Sequence, residues 1–140
     1  MADDLKTLIR LNEWKVDERR RILGRHLKTM HTLETNLENL EQEFINEQAA
    51  AQASPTEGGL LYGAYADWVV MRREQIHEFM RQTQEQIDAA RAMLNKAYRE
   101  LKKYETAEDI RSRKAAAEEA RKEQIMLDDL GIQGFMAKNK

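Results

Sequence analysis

Cysteine is absent from this 140-residue sequence and proline occurs once, at Pro55. No disulfide can staple such a chain, and no thiolate can bind a metal or act as a nucleophile. Aromatic residues make up only 6% and glycines number six. Strand-like alternation is almost missing, so a sandwich or barrel is excluded as a fold class. Long apolar runs are missing too. The weakly apolar stretch from Met1 to Val16 is interrupted by Asp3, Asp4, Lys6, Arg10 and Glu13, and reads neither as a secretion signal nor as a membrane span. The net charge is only -2, with both signs interleaved, which gives no general attraction to nucleic acid. The expectation is a soluble chain inside the cell.

What remains is helix-forming material. Charged residues reach 34% and the mean hydropathy is -0.79, too polar for a large globular core but suited to long helices with narrow buried seams. One stretch breaks this composition: Ser54-Pro55-Thr56-Glu57-Gly58-Gly59. Proline cannot donate to a helix ladder and glycine loses the most backbone entropy on ordering, so the chain is expected to reverse there. The same residues also fit a capping box with proline in the first helical position. The turn is placed at about residues 54–63, with Gly63 as a third weak point, between helix one at about 3–53 and helix two at about 64–130; residues 131–140 follow as a tail.

The arms carry a shared heptad. Ile9, Val16, Leu23, Met30, Leu37, Phe44 and Ala51 recur every seventh residue, with Leu5, Asn12, Arg19, His26, Leu33, Leu40 and Glu47 as the second track. The second arm repeats the period through Val69, Ile76, Thr83, Ala90, Ala97 and Tyr104, and through Arg73, Met80, Ile87, Leu94 and Leu101. Antiparallel helices set a positions against d positions. One register does this throughout, facing Phe44 with Val69, Leu37 with Ile76, Leu23 with Ala90 and Val16 with Ala97. Its centre falls between Thr56 and Glu57, within the glycine-proline break. The fold class is therefore an all-α antiparallel coiled-coil hairpin. Asn12, Arg19, His26 and Thr83 make the half of the seam near the chain ends the weaker half.

In this register the first arm ends opposite residue 110, yet helical composition continues through Lys114 to Gln124. An overhang of about 20 residues, roughly 30 Å at 1.5 Å per residue, should project past the first arm. It ends in Ile125, Met126, Leu127 and Leu130, an apolar cluster without an intramolecular partner and so a candidate binding surface.

The sequence offers little chemistry beyond surfaces. His26 and His31 do not share a helix face and His77 is on the other arm, so no metal-ligand set forms. Gly58-Gly59 lacks the Lys-Ser/Thr of a phosphate loop, and serine and aspartate are too scattered for a nucleophilic triad. No catalytic, cofactor or metal residue is assigned. The basic group Arg19, Arg20, Arg21 and Arg25 reads first as a solvated face, with an acidic protein groove as the alternative. Leu60, Leu61, Tyr62, Tyr65 and Trp68 are either a cap over the hairpin tip or a contact patch. Trp14 lies off both tracks.

The segment Ala120-Arg121-Lys122-Glu123-Gln124-Ile125-Met126-Leu127-Asp128-Asp129-Leu130 is similar to the Arg-x-Glu-Gln-x-x-Leu-Asp-Glu ending of the FliJ family of flagellar export proteins. The opening Leu5-Lys6-Thr7-Leu8-Ile9-Arg10-Leu11 resembles that family's Leu-x-x-Leu start, and the likeness spans nearly the full chain. Asp129 stands where the family pattern has glutamate, glycines occupy 131 and 134, and the charge balance is acidic where many members are basic. The resemblance implies a non-enzymatic cytoplasmic component of the flagellar type III export apparatus, similar to the two-helix stalk of a rotary ATPase. It also implies three partners: the hexameric export ATPase, the cytoplasmic domain of the export gate, and export chaperones. Membrane association would be peripheral, through the apparatus at the inner face. On this reading Leu5, Leu8, Arg121, Glu123, Gln124, Leu127, Asp128 and Leu130 at the open end meet the ATPase, and Phe44, Tyr62, Tyr65 and Trp68 near the turn meet the gate. Two other classes stand beside it, a generic coiled-coil adaptor or homodimerising spacer and an RNA-binding helical hairpin.

Overall fold

A computed structural model describes residues 2–53 and 58–138. Two helices account for all of them: α1, Ala2–Ala53, of 52 residues, and α2, Gly58–Lys138, of 81. They pack against each other as an antiparallel hairpin, the fold class that the heptad spacing predicts. Contacts divide it into two compact units, Lys15–Ala97 and Met1–Trp14 with Tyr98–Lys140.

In the Lys15–Ala97 unit the core is a seam one residue wide on each helix. Val69 is fully buried, Val16, Leu40, Ile76, Ile87 and Ala90 nearly so, and all six lie on the heptad tracks. Leu40, Val69 and Ile76 form a cluster against which Leu33, Leu37, Phe44, Tyr65 and Met80 pack. Each fully buried aliphatic side chain contributes about 1.5–3 kcal/mol, which lets so narrow a seam hold two helices together. Leu23, Met30 and Leu94 are half-buried, as are the polar track residues Arg19 and His26; Thr83 is buried and Glu47, although on a track, is exposed.

A flank contact reinforces the cluster. Arg73 donates from Nε and Nη2 to the two carboxylate oxygens of Glu41, at 2.5 and 3.0 Å. This fork-to-fork geometry fixes orientation as well as charge. The bond holds the Glu41 carboxyl below its ordinary pKa and raises that of Arg73. The same guanidinium lies 5.9 Å from the centroid of the Phe44 ring, within cation–π range.

In the other unit, Asn12 is buried and Ile9, Leu5, Leu101 and Tyr104 are half-buried. Asn12 tolerates burial because its Nδ2 donates to the Leu8 carbonyl at 2.7 Å, a bond within its own helix. The seam ends at half-buried Glu108, whose Oε2 has no hydrogen-bond partner among the described residues. Every residue from Asp109 to Lys138 is exposed.

The boundaries differ from the sequence expectation at both ends of the second helix. α2 begins at Gly58, where a turn lasting to about 63 and a helix start near 64 were expected, and it runs through Gly131 and Gly134 to Lys138, where a tail from 131 was expected. No described glycine has a positive φ. Glycine costs only about 1 kcal/mol relative to alanine inside a helix, and flanking leucine, alanine, isoleucine and methionine carry the helix across it. Lys138 in the last turn also complements the negative end of the helix dipole. The capping box at Ser54–Glu57 and the register centre at Thr56 and Glu57 lie outside the described residues.

Candidate binding surfaces

The candidate residues separate cleanly between the two units. Leu5, Leu8, Arg121, Glu123, Gln124, Leu127, Asp128 and Leu130 fall in the unit containing the chain ends, and Phe44, Tyr62, Tyr65 and Trp68 in the unit Lys15–Ala97. Within each set the structure shows different degrees of commitment to the fold.

In the Lys15–Ala97 unit the aromatic residues form a ladder. Phe44 stacks on Tyr62 at 6.0 Å and on Tyr65 at 6.4 Å, and Tyr65 stacks on Trp68 at 5.9 Å. Such pairs contribute about 0.5–1.5 kcal/mol beyond their area, so the ladder caps the seam as well as presenting a surface. Phe44, Tyr62 and Tyr65 are half-buried, whereas Trp68 is 48% exposed. Burial raises the Tyr65 hydroxyl pKa, and the negative charges of Glu43 and Glu47 add to the shift. A shallow groove beside the ladder is lined by Glu47, Ala50, Ala51, Leu61, Tyr62 and Tyr65, with Leu61 exposed.

Trp68 also opens an apolar stripe on the outer face of α2, continued by exposed Met71 and Phe79 around a groove that includes Arg72 and Gln75. Sequence reasoning passed over Met71 and Phe79. Their signal was available: both are large, apolar, off the heptad tracks, and on the helical face of Trp68.

In the unit containing the chain ends, Leu5 is half-buried, and Leu8, Leu11 and Trp14 are exposed along α1. On α2 the polar part of the tail motif bonds along its own helix. Arg121 donates to both carboxylate oxygens of Glu118, at 2.7 and 3.2 Å, and Gln124 donates to Asp128 at 3.0 Å. Glu118 raises the Arg121 pKa through that bond. Glu123 is exposed. Beyond this ladder, Ile125, Met126, Leu127, Leu130, Ile132, Phe135 and Met136 are all 47% exposed or more. At 100° per residue Ile125, Ile132 and Met136 share one side, Met126, Leu127 and Leu130 the opposite side, with Phe135 off to one flank. A shallow groove over Gly131 is lined by Leu127, Asp128, Ile132 and Phe135.

Among the described residues no group of three or more His, Asp or Glu could hold a metal ion, and no helix is long and apolar enough to cross a membrane. The features that stand out are exposed surfaces on two long helices that pack against each other, which defines a helical-hairpin protein. The chain belongs to the FliJ family: the family model for the flagellar FliJ protein matches residues 1–140, its whole length. It is accordingly a component of the flagellar export apparatus. Neither a curated protein nor a solved structure matches it.

Proposed function

We propose that this chain serves the export apparatus as a stalk-like coiled coil that seats in the hexameric export ATPase and promotes its assembly or activity. The observation that carries the reading is the tip Ile125–Met136. Apolar side chains project from opposite sides of a helix that has no neighbour among the described residues, and a helix apolar round most of its circumference belongs inside another structure. The central opening of a hexamer is such a socket, and Leu5 and Leu8, in the same unit, add apolar surface from α1.

The aromatic ladder is the face offered to the cytoplasmic domain of the export gate, with Trp68 as the exposed anchor and Tyr62, Tyr65 and Phe44 holding it in place. Export chaperones are the third partner. The protein works in the cytoplasm without cofactor or catalysis of its own, and reaches the membrane only through the apparatus.

Mixing the purified chain with a flagellar-type hexameric ATPase tests the reading by co-elution and by hydrolysis rate. Leu127→Ala with Leu130→Ala is expected to abolish association and stimulation while gate binding persists. Trp68→Ala is expected to weaken gate binding alone. The opposite pattern would exchange the two ends, and a wild-type chain that neither binds nor stimulates the ATPase would refute the proposal.

A further inference from the structure

The segment from Arg19 to Leu33 contains Arg19, Arg20, Arg21, Arg25 and Lys28 and no acidic residue. Packing divides these cations. Arg19 is half-buried on a heptad track, Arg20 lies 3.8 Å from Asp17, and Arg21 lies 3.7 Å from Glu18. Arg25 and Lys28 have no ion-pair partner among the described residues. Arg21, Arg25 and Lys28 follow at i, i+4 and i+7 on the outer face of α1, where with Glu18 and Gly24 they line one groove.

Gly24 is the second observation. Glycine is the poorest helix former after proline, yet it lies in the middle of a 52-residue helix. A Cβ built there meets no atom within 4 Å, so nothing among the described residues requires its absence. A bare backbone flanked by two unneutralised cations allows a second helix to approach closely while its carboxylates reach Arg25 and Lys28.

We propose that this groove docks an acidic helix of a partner protein, with carboxylates at heptad-compatible spacing facing Arg21, Arg25 and Lys28 and one basic residue facing Glu18. Glu18 decides between classes of partner. A carboxylate in the groove repels a uniform polyanion such as nucleic acid or an anionic membrane, but matches a helix of mixed charge. The inference is independent of the ATPase reading, because every residue in the groove lies in the Lys15–Ala97 unit and none belongs to the tip.

The probe is a labelled helical peptide of about 20 residues, long enough to hold its helix, with glutamates at the three facing positions and a lysine opposite Glu18. Anisotropy with the full chain at about 50 mM salt is expected to show saturable binding that weakens as salt rises towards 200 mM. Arg25→Glu with Lys28→Glu is expected to weaken it by about tenfold or more, the equivalent of two lost and reversed charge pairs. Gly24→Leu should weaken it to a similar degree without lowering the melting temperature, since the new side chain meets open space. Four results would overturn the proposal: no binding, equal binding of a scrambled peptide, unchanged affinity in Gly24→Leu, or a preference for phosphatidylserine vesicles or single-stranded DNA over the peptide.

Discussion

Replacing Ile76 and Ile125 by alanine, one at a time, asks the hairpin seam and the apolar tip the same chemical question in opposite surroundings. Ile76 is 2% exposed in the cluster with Leu40 and Val69, and Ile125 is 47% exposed on unpaired helix. Truncation to alanine removes three carbons, worth about 0.8 kcal/mol each in transfer from water. Alanine returns about 0.4 kcal/mol of helix propensity at either site. At Ile76 a residual cavity adds to the loss, though a two-helix seam closes over a gap more easily than a globular core does. The expected cost is about 2–3 kcal/mol at Ile76 and within about 0.5 kcal/mol of zero at Ile125. Urea unfolding followed by circular dichroism gives both numbers from midpoints at a common slope. Ile125→Ala should nevertheless impair ATPase association, as is expected of Leu127→Ala with Leu130→Ala. A loss below 1 kcal/mol at Ile76, or an equal loss at Ile125, would refute the division into a seam that folds the chain and a tip that does not.

Two further outcomes follow from side chains described above. The Glu41 carboxyl has its pKa lowered by Arg73, so its stabilising contribution is present above the ordinary carboxylate pKa of about 4.3 and is lost as pH falls through the lowered folded-state value. Glu41→Gln should remove that part of the acid-side slope in a stability–pH series, and a slope identical to wild type would show that the pair contributes nothing. Gly131→Ala with Gly134→Ala should raise helicity at 222 nm and stabilise the last turns by about 1 kcal/mol per site, since neither added Cβ meets an atom within 4 Å; a drop in helicity would contradict a helix running through both glycines.

The seam was legible because burial and sequence share a single period. Among the described residues the buried apolar ones are Val16, Leu40, Val69, Ile76, Ile87 and Ala90, and each stands on a heptad track, as do the buried Asn12 and Thr83. Less legible were features that depend on distance rather than period. Glu41 lies beside the track, and its bond to Arg73 spans 32 residues of sequence, so no local pattern announces it. The helix through Gly58, Gly63, Gly131 and Gly134 was hidden for another reason. Glycine ends a helix only where its cost of about 1 kcal/mol exceeds what the flanking helix formers supply. The surfaces were read unevenly. Tyr62, Tyr65 and Trp68 were visible as an aromatic group, but the stacking of Tyr62 and Tyr65 on Phe44 joins residues from both helices. The groove at Gly24 depends on which cations are already neutralised, a property of side-chain placement.

The uninterrupted course of α2 from the seam at Leu101 and Tyr104 to the tip has a consequence for angle. A continuous helix carries azimuth as faithfully as distance. One residue inserted among the exposed positions from Arg111 to Ala120 would advance the tip by only about 1.5 Å but turn it by about 100°, while seven would advance it by about 10 Å and nearly restore its orientation. The direction in which Leu127 and Leu130 point is therefore counted out, residue by residue, from the last turn of paired helix, and the exposed stretch between them acts as a torsional coupling.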